Sequence, residues 1–295
     1  MNNIHHELVT KISQCVKDDC CYLEKDATIV FVCGKKLSAH NSKRKLFLDY
    51  ANAHIDGFHF LLAEDFFNSY KDEDLLTIEN MLTNYSDCII IILESESAYA
   101  ELGAFAAKDD LCKILLPIND QEFQGEPSFI NQGPLLKIDK LPHGFGPTIN
   151  ADMKTFSRCF PQIEERLNRI KKSRREKLSL QTAKAYNDHP KKRLLLLHDI
   201  INLFSPINKT ELFEILTLIY GNNRFDTVKF DLALLTSLGF IEKTSEYIIS
   251  AHPGLRFISF ELFNFFTARS QIIIHYKKKF SERLKERGKR LCPST

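Results

Sequence analysis

The chain has 295 residues, a formal net charge of +2, 44% hydrophobic and 26% charged residues. This composition is ordinary for globular protein of more than one domain and excludes a chain that is basic throughout, so any nucleic-acid contact must come from local charge. No run reaches the ~18 apolar residues of a membrane helix, and the polar segment 1–7 is unlike a signal peptide, which predicts a cytoplasmic protein without membrane contact. The eight cysteines include no CxxC pair. They read as reduced core thiols, with no metal site expected. Only the adjacent Cys20 and Cys21 stand out, as a helix end packing on the first strand or as a redox pair.

In the first half, strand-like and helix-like segments alternate. Thr28–Cys33 (TIVFVC) reads as a buried strand ending at Gly34, 42–53 as a helix, 58–62 as a second strand and 75–85 as a helix. Cys88–Leu93 (CIIIIL) reads as a third strand, 98–108 as a short helix and 113–118 as a fourth strand. Fully apolar strands separated by helices predict a parallel sheet covered on both faces. With right-handed crossovers this is a Rossmann-like three-layer sandwich. Ligands of such sheets bind beyond the carboxyl ends of the strands, which gathers 33–34, 63–65 and 94–97 around one crevice. A Gly/Pro-rich passage from Gly125 to Pro147 follows, as a lid or as closing loops.

From Met153 to Tyr186 the pattern reads as helical and very basic. The second domain starts near Lys191 with a helix over 193–204. Asn208-Lys-Thr-Glu211 has the form of a capping box for a helix ending at Gly221. A third helix is predicted over 227–238, with Asp226 as its cap, then a hairpin over 240–243 and 247–250. Three helices and a hairpin predict a winged helix-turn-helix. The expected domains are therefore 1–150 (catalytic), 151–192 (basic helical linker), 193–255 (winged helix-turn-helix) and 256–295 (basic C-terminal helix). The residues expected to meet nucleic acid or a protein partner are Lys171, Lys172, Arg174 and Arg175 in the linker, Lys229 on the third helix, and Lys277, Lys278, Lys279 and Arg283 in the last helix. Solvated helix faces are the plainer reading of these charges.

The stretch Glu94-Ser-Glu-Ser-Ala-Tyr-Ala-Glu-Leu-Gly103 follows the third strand and opens a helix. Glu101 is placed near the first turn, where the helix dipole would keep it ionised. A fixed anion there can lower the energy of an oxocarbenium-like transition state as an N-glycosidic bond breaks; it can equally just support the helix start. Around it, Cys33 and Gly34 close the first strand, and Lys35 is placed to meet a pyrophosphate or simply solvent. Asp65 is placed for sugar hydroxyls, Glu79 for the crevice or solvent, Ser95 and Ser97 for capping or ligand, and Tyr99 for the pocket of the departing base or the core. The GxGxxG fingerprint of hydride-transfer enzymes is absent after the first strand.

The segment Glu101-Leu102-Gly103, with Val32-Cys33-Gly34, Ser86-Asp87 and Asn131-Gln132-Gly133, resembles the nucleoside 2-deoxyribosyltransferase family over roughly residues 28 to 138. Its nucleophile is the Glu of a Glu-Leu-Gly motif. The chain looks closer to one branch, the deoxyribosyltransferase-like effectors of bacterial retrons, through Glu64-Asp65-Phe66, Leu76-Thr77-Ile78-Glu79-Asn80, Glu94-Ser95, Glu101-Leu102-Gly103-Ala104-Phe105 and Ser128-Phe129-Ile130-Asn131-Gln132-Gly133-Pro134. The transferases proper carry an acidic residue six positions before the nucleophile; here it is Ser95. The resemblance implies an antiphage toxin that cleaves the nicotinamide–ribose bond of NAD as substrate, with no cofactor. It also implies restraint by a reverse transcriptase and its branched RNA–DNA product (msDNA). Asn131 would serve a site completed by a neighbouring copy in a homo-oligomer or larger complex. The alternatives are a nucleoside deoxyribosyltransferase or nucleotide hydrolase, and a non-catalytic nucleotide-sensing DNA-binding regulator.

Overall fold

The structure is a computed structural model that describes residues 3–24, 27–71, 73–142, 144–170, 175–180, 187–221 and 227–279. The elements in chain order begin with α1 (Asn3–Lys17), β1 (Cys21–Leu23), β2 (Thr28–Cys33), α2 (Lys43–His54), β3 (Phe58–Leu61), α3 (Ala63–Ser69) and α4 (Leu75–Thr83). Then come β4 (Cys88–Ile92), α5 (Glu96–Ala106), α6 (Asp109–Cys112), β5 (Leu115–Asp120), α7 (Leu136–Asp139), β6 (Ile149–Ala151), α8 (Phe160–Leu167) and β7 (Glu176–Lys177). The last are α9 (Pro190–Phe204), α10 (Lys209–Tyr220), α11 (Val228–Ser237), β8 (Ile241–Lys243), β9 (Ile248–Ser250), β10 (Ile258–Phe260) and α12 (Phe265–Lys279). The chain divides into two units, Ala27–Lys171 and Met1–Asp26 with Lys172–Thr295.

In the first unit β2, β3, β4, β5 and β6 form one parallel sheet in the order β3-β2-β4-β5-β6. All of β2 and β4 is buried, as expected of strands covered on both faces. Alternation sorts their side chains. Val30, Val32, Ile90 and Ile92 join Phe47 and Leu48 of α2 and Phe160, Ile163 and Leu167 of α8 in one core. Phe31 points the other way, 6.3 Å between ring centroids from Phe105 of α5. Numbered within the sheet, the strand order is 2-1-3-4-5, so the chain reverses direction between β2 and β4. That switch point is where an open α/β sheet leaves a crevice at its carboxyl edge.

The division corrects the expected domain limits. Segment 151–171, read as linker, completes the sheet unit, because Phe156, Phe160, Ile163 and Leu167 fill the core beside the edge strand β6. The N-terminal segment belongs to the other unit, where β1 pairs antiparallel with both β10 and β7. The helix expected over 153–186 is limited to α8 and a preceding 3-10 turn among the described residues. Leu178 and Leu180 are both buried, a period-2 burial that suits extended chain. The helix expected from Arg256 begins only at Phe265. Before it, the buried Asp199 carboxylate accepts from Phe257 N (3.0 Å) and Ile258 N (2.7 Å), holding that chain extended beside β1.

In the second unit α9, α10 and α11 are followed by the hairpin β8–β9. The Asn208–Glu211 capping box is present, and Ile207 pairs with Ile248 ahead of α10. A buried ion pair, Arg193 Nε to Asp231 Oδ2 at 2.7 Å and Nη2 to Oδ1 at 2.9 Å, ties α9 to α11. The described cysteines are free thiols. No helix among the described residues is long and apolar enough to cross a membrane.

Candidate active site

At the β2/β4 switch point lies a cavity of about 530 Å³, within the size range of small-molecule sites. Its polar lining includes Cys33, Arg44, Glu64, Asp65, Glu79 and Glu101, against apolar walls from Phe31, Phe67 and Leu75. The acids arrive on three different helices. Cys33 ends β2 on the same face as Phe31, Glu64 and Asp65 form the first turn of α3, Glu79 lies on the buried side of α4, and Glu101 lies on α5.

Glu101 stands six residues beyond its helix's N-cap, Ser95. This corrects the expected place near the first turn: the backbone N–H groups there are already bonded within the helix, so the dipole does not hold it ionised. Instead burial pushes its carboxyl up to about 7, opposed by a hydrogen bond from the Cys33 thiol and by the charge of Arg44. Its Oε2 is buried without a hydrogen-bond partner among the described residues. Burial, then the charges of Glu101 and Glu64, push Glu79 to about 7 as well. Asp65 is raised by burial and by Glu64, and the buried Cys33 thiol is pushed well up by burial and by Glu101. A desolvated acid cluster of this kind is a mark of functional sites.

Arg44, which no motif in the sequence marks, is the cluster's buried cation. Its Nε donates to Lys35 O (2.9 Å), Nη1 to Val32 O (3.4 Å) and Glu64 Oε2 (3.2 Å), and Nη2 to Glu64 Oε1. Nothing in the run Lys43-Arg44-Lys45 sets it apart except its place on the inward face of α2, beside Phe47 and Leu48.

Of the expected site residues, the cavity brings together Cys33, Gly34, Asp65, Glu79, Ser97 and Glu101. Others point elsewhere. Glu94 is turned back into the protein, accepting from Lys43 N (2.7 Å), Arg44 N (2.9 Å) and Lys35 N (3.2 Å), where it satisfies the open N–H groups of α2. Gly34 has φ +153, and a Cβ there would sit 3.2 Å from Glu94 Oε1 and 3.3 Å from Arg44 Cβ. Its lack of a side chain therefore serves this latch. Lys35 Nζ reaches His40 O, and Lys36 lines the cavity in its place. Ser95 caps α5, the Tyr99 hydroxyl donates to Leu93 O, and Asn131 holds its own loop through Phe123 O and Glu126 O. Among the described residues no group of three or more His, Cys, Asp or Glu is placed to hold a metal ion.

Of the residues expected at a nucleic-acid or partner surface, Lys229, Lys277 and Lys278 are exposed. Arg175 lies over the Tyr22 ring at 4.6 Å. Lys279 ends α12, and Lys171, Lys172, Arg174 and Arg283 lie outside the described residues. On α11, Val228 and Phe230 through Leu235 are all buried.

The sequence model of the family described as STM3845 retron effector protein matches residues 40–243. Two Escherichia coli proteins are similar. The one named "Retron Ec73 putative ribosyltransferase/DNA-binding protein" is 30% identical over 210 residues, 65% of this chain and 66% of the relative. The one named "Retron Ec86 putative ribosyltransferase/DNA-binding protein" is 32% identical over 115 residues, 38% of each. The similarity thus spans just under two thirds of the first relative's length and well under half of the second's.

Proposed function

Since the chain belongs to the STM3845 retron effector family, we propose that it acts in antiphage defence by cleaving an N-glycosidic bond, the nicotinamide–ribose bond of NAD in the first instance. The observation that carries this reading is the Glu101 carboxylate, whose unpartnered Oε2 belongs to a residue lining a cavity at the sheet's switch point. The word "ribosyltransferase" in the relatives' names agrees with it.

In this mechanism the base departs from C1′ with the electron pair of the C–N bond. Ionised Glu101 faces the positive charge that develops on the sugar, where a preorganised anion in a water-poor site acts most strongly. It either bonds to C1′ or stabilises the cation until water adds there, and the water's proton passes to solvent. The apolar walls of Phe31 and Phe67 suit a flat ring. NAD is the substrate, and the steps need no cofactor.

The α9–α11 helices with the β8–β9 hairpin form, in this reading, a winged helix-turn-helix, supported by the single antiparallel bridge from Ile207, just before α10, to Ile248 of the hairpin. Because α11 exposes little besides Lys229, the module docks on a partner rather than reading bases in a groove. That partner is a reverse transcriptase with its branched RNA–DNA product, which holds the toxin in check, and the assembly is oligomeric.

The test is chromatographic. The full chain is incubated with NAD and, separately, with pairs of deoxynucleosides and free bases. Release of nicotinamide, lost by at least ~100-fold in Glu101→Gln, is the expected result. Base exchange between deoxynucleosides with NAD untouched, or near-unchanged activity in Glu101→Gln, would reverse the assignment.

A further inference from the structure

We infer that the cavity selects an N-glycoside whose base carries a fixed positive charge, and that Glu79 is the residue that reads that charge. This rests on the N-glycosidic reading and adds to it the residue that sets the preference for a charged base.

Glu79 is only 8% exposed, lines the cavity, and receives no hydrogen bond from the described residues. A buried carboxylate without a partner is costly to ionise, so its place in the lining calls for a complement that the protein does not supply. Arg44 is not that complement. Its donors go to Val32 O, Lys35 O and the Glu64 carboxylate, so it cancels one of the cavity's acids and has little left for a ligand. The same geometry makes it a poor clamp for a phosphate. With Glu64 balanced by Arg44, the groups that set the cavity's charge are Asp65 on α3, Glu79 on α4 and Glu101 on α5, with the Cys33 thiol of β2 beside Glu101 and Lys36 on the loop after β2. When ionised, the three acids outweigh the one remaining lysine.

The chemistry agrees with the charge. A base that is already cationic leaves as a neutral molecule, taking the C–N electrons with it, and needs no proton. The cavity lining contains no histidine to provide one. The departing charge passes to the sugar, next to Glu101, while Glu79 attracts the base in the ground state. The Glu79 and Glu101 carboxyls are both raised to about 7, because the Arg44 charge, and for Glu101 the Cys33 thiol, offset their burial only in part; a cationic ligand offsets the rest, and binding it must release protons.

Two near-isosteric fragments test this on the full chain by calorimetry: 1-methylnicotinamide, a cation, and nicotinamide, neutral. At pH 8 the cation is expected to bind at least ~10-fold more tightly. Its affinity should rise about tenfold from pH 6 to pH 8 for each carboxyl near 7 that must ionise, while nicotinamide stays level. Glu79→Gln should remove most of the preference, and Glu79→Asp, which keeps the charge, should retain part of it. Equal binding of the two fragments by the wild-type chain, a pH-independent cation affinity, or no detectable cation binding overturns the proposal, and the pH comparison requires no variant to fold. Nicotinamide release from NAD is measured in parallel. Cation preference without cleavage defeats the glycosidase reading alone, whereas cleavage with both fragments bound alike defeats the charge selection alone. If Glu79 instead served as a proton donor to neutral bases, the turnover rate would fall as pH rises through 7, and that result also counts against the proposal.

Discussion

Glu101→Gln should make the protein inactive and more stable at once. Burial raises the Glu101 carboxyl from 4.5 to about 7. At ~1.4 kcal/mol per pH unit this amounts to about 3 kcal/mol. The sign follows from proton binding. Below pH 4.5 the carboxyl is protonated in both folded and unfolded chains, and burial costs nothing. As pH rises from 4.5 to about 7 the unfolded chain releases its proton while the folded one retains it, so stability falls; above that range the loss is complete and constant. Glutamine keeps the shape and removes the charge, so it recovers this loss at pH 8 and recovers nothing at pH 4.5. The amide must itself be desolvated, which reduces the gain to roughly 1–3 kcal/mol. In a unit of this size that raises the melting temperature by about 3–10 °C. The assay is thermal unfolding of the full chain and its variant at pH 8 and pH 4.5, beside nicotinamide release at pH 8. A variant that is inactive and also less stable at pH 8 would show that Glu101 supports the fold rather than being held against its own solvation for function. An equal gain at both pH values would refute the titration argument.

Three further outcomes follow from the same cluster and from the charged surface. Arg44→Gln removes the guanidinium that lowers Glu101 and Glu79, so the acidic limb of the pH–rate profile should move to higher pH, whereas Glu64→Gln, which removes a charge that raises both, should move it lower. Gly34→Ala forces a Cβ to within 3.2 Å of Glu94 Oε1 at φ +153 and should cost about 1–3 kcal/mol in denaturant unfolding; an unchanged midpoint would mean that the Glu94 latch yields freely. Reversing Lys277 and Lys278, both exposed at the end of α12, should lower the log–log salt slope of RNA–DNA binding by roughly one for each phosphate they neutralise, and an unaltered slope would leave them as solvated charges.

How legible these features were in sequence depended on how local their cause is. TIVFVC and CIIIIL announce buried parallel strands because every side chain is apolar, and the Asn208–Glu211 box needs only four residues to define its helix start. Short elements such as β1, β6 and β10 exist through pairing with partners far away in sequence, Cys21 with Phe260 for one, so no local pattern marks them. Segment 175–180 misleads in the opposite sense. Its charges suggest an exposed helix, and only the alternate burial of Leu178 and Leu180 betrays extended chain. The site divides in the same way. Glu94 lies shortly before the Glu101-Leu102-Gly103 segment and looks aimed at ligand, but the open N–H groups of α2, some fifty residues earlier, draw its carboxylate away. Arg44 is hidden among surface lysines because Glu64 and the two carbonyls that hold it are distant in sequence or look unremarkable. Glu79 did leave a local trace. In Leu75–Thr83 the buried positions are Ile78, Glu79, Leu82 and Thr83, so one acid falls on the apolar face of an otherwise ordinary amphipathic helix. A carboxylate placed where leucine would pack better weakens the fold, and the charge balance of this cavity supplies the reason to keep it: a cation brought by the substrate completes what the helix leaves unpaired.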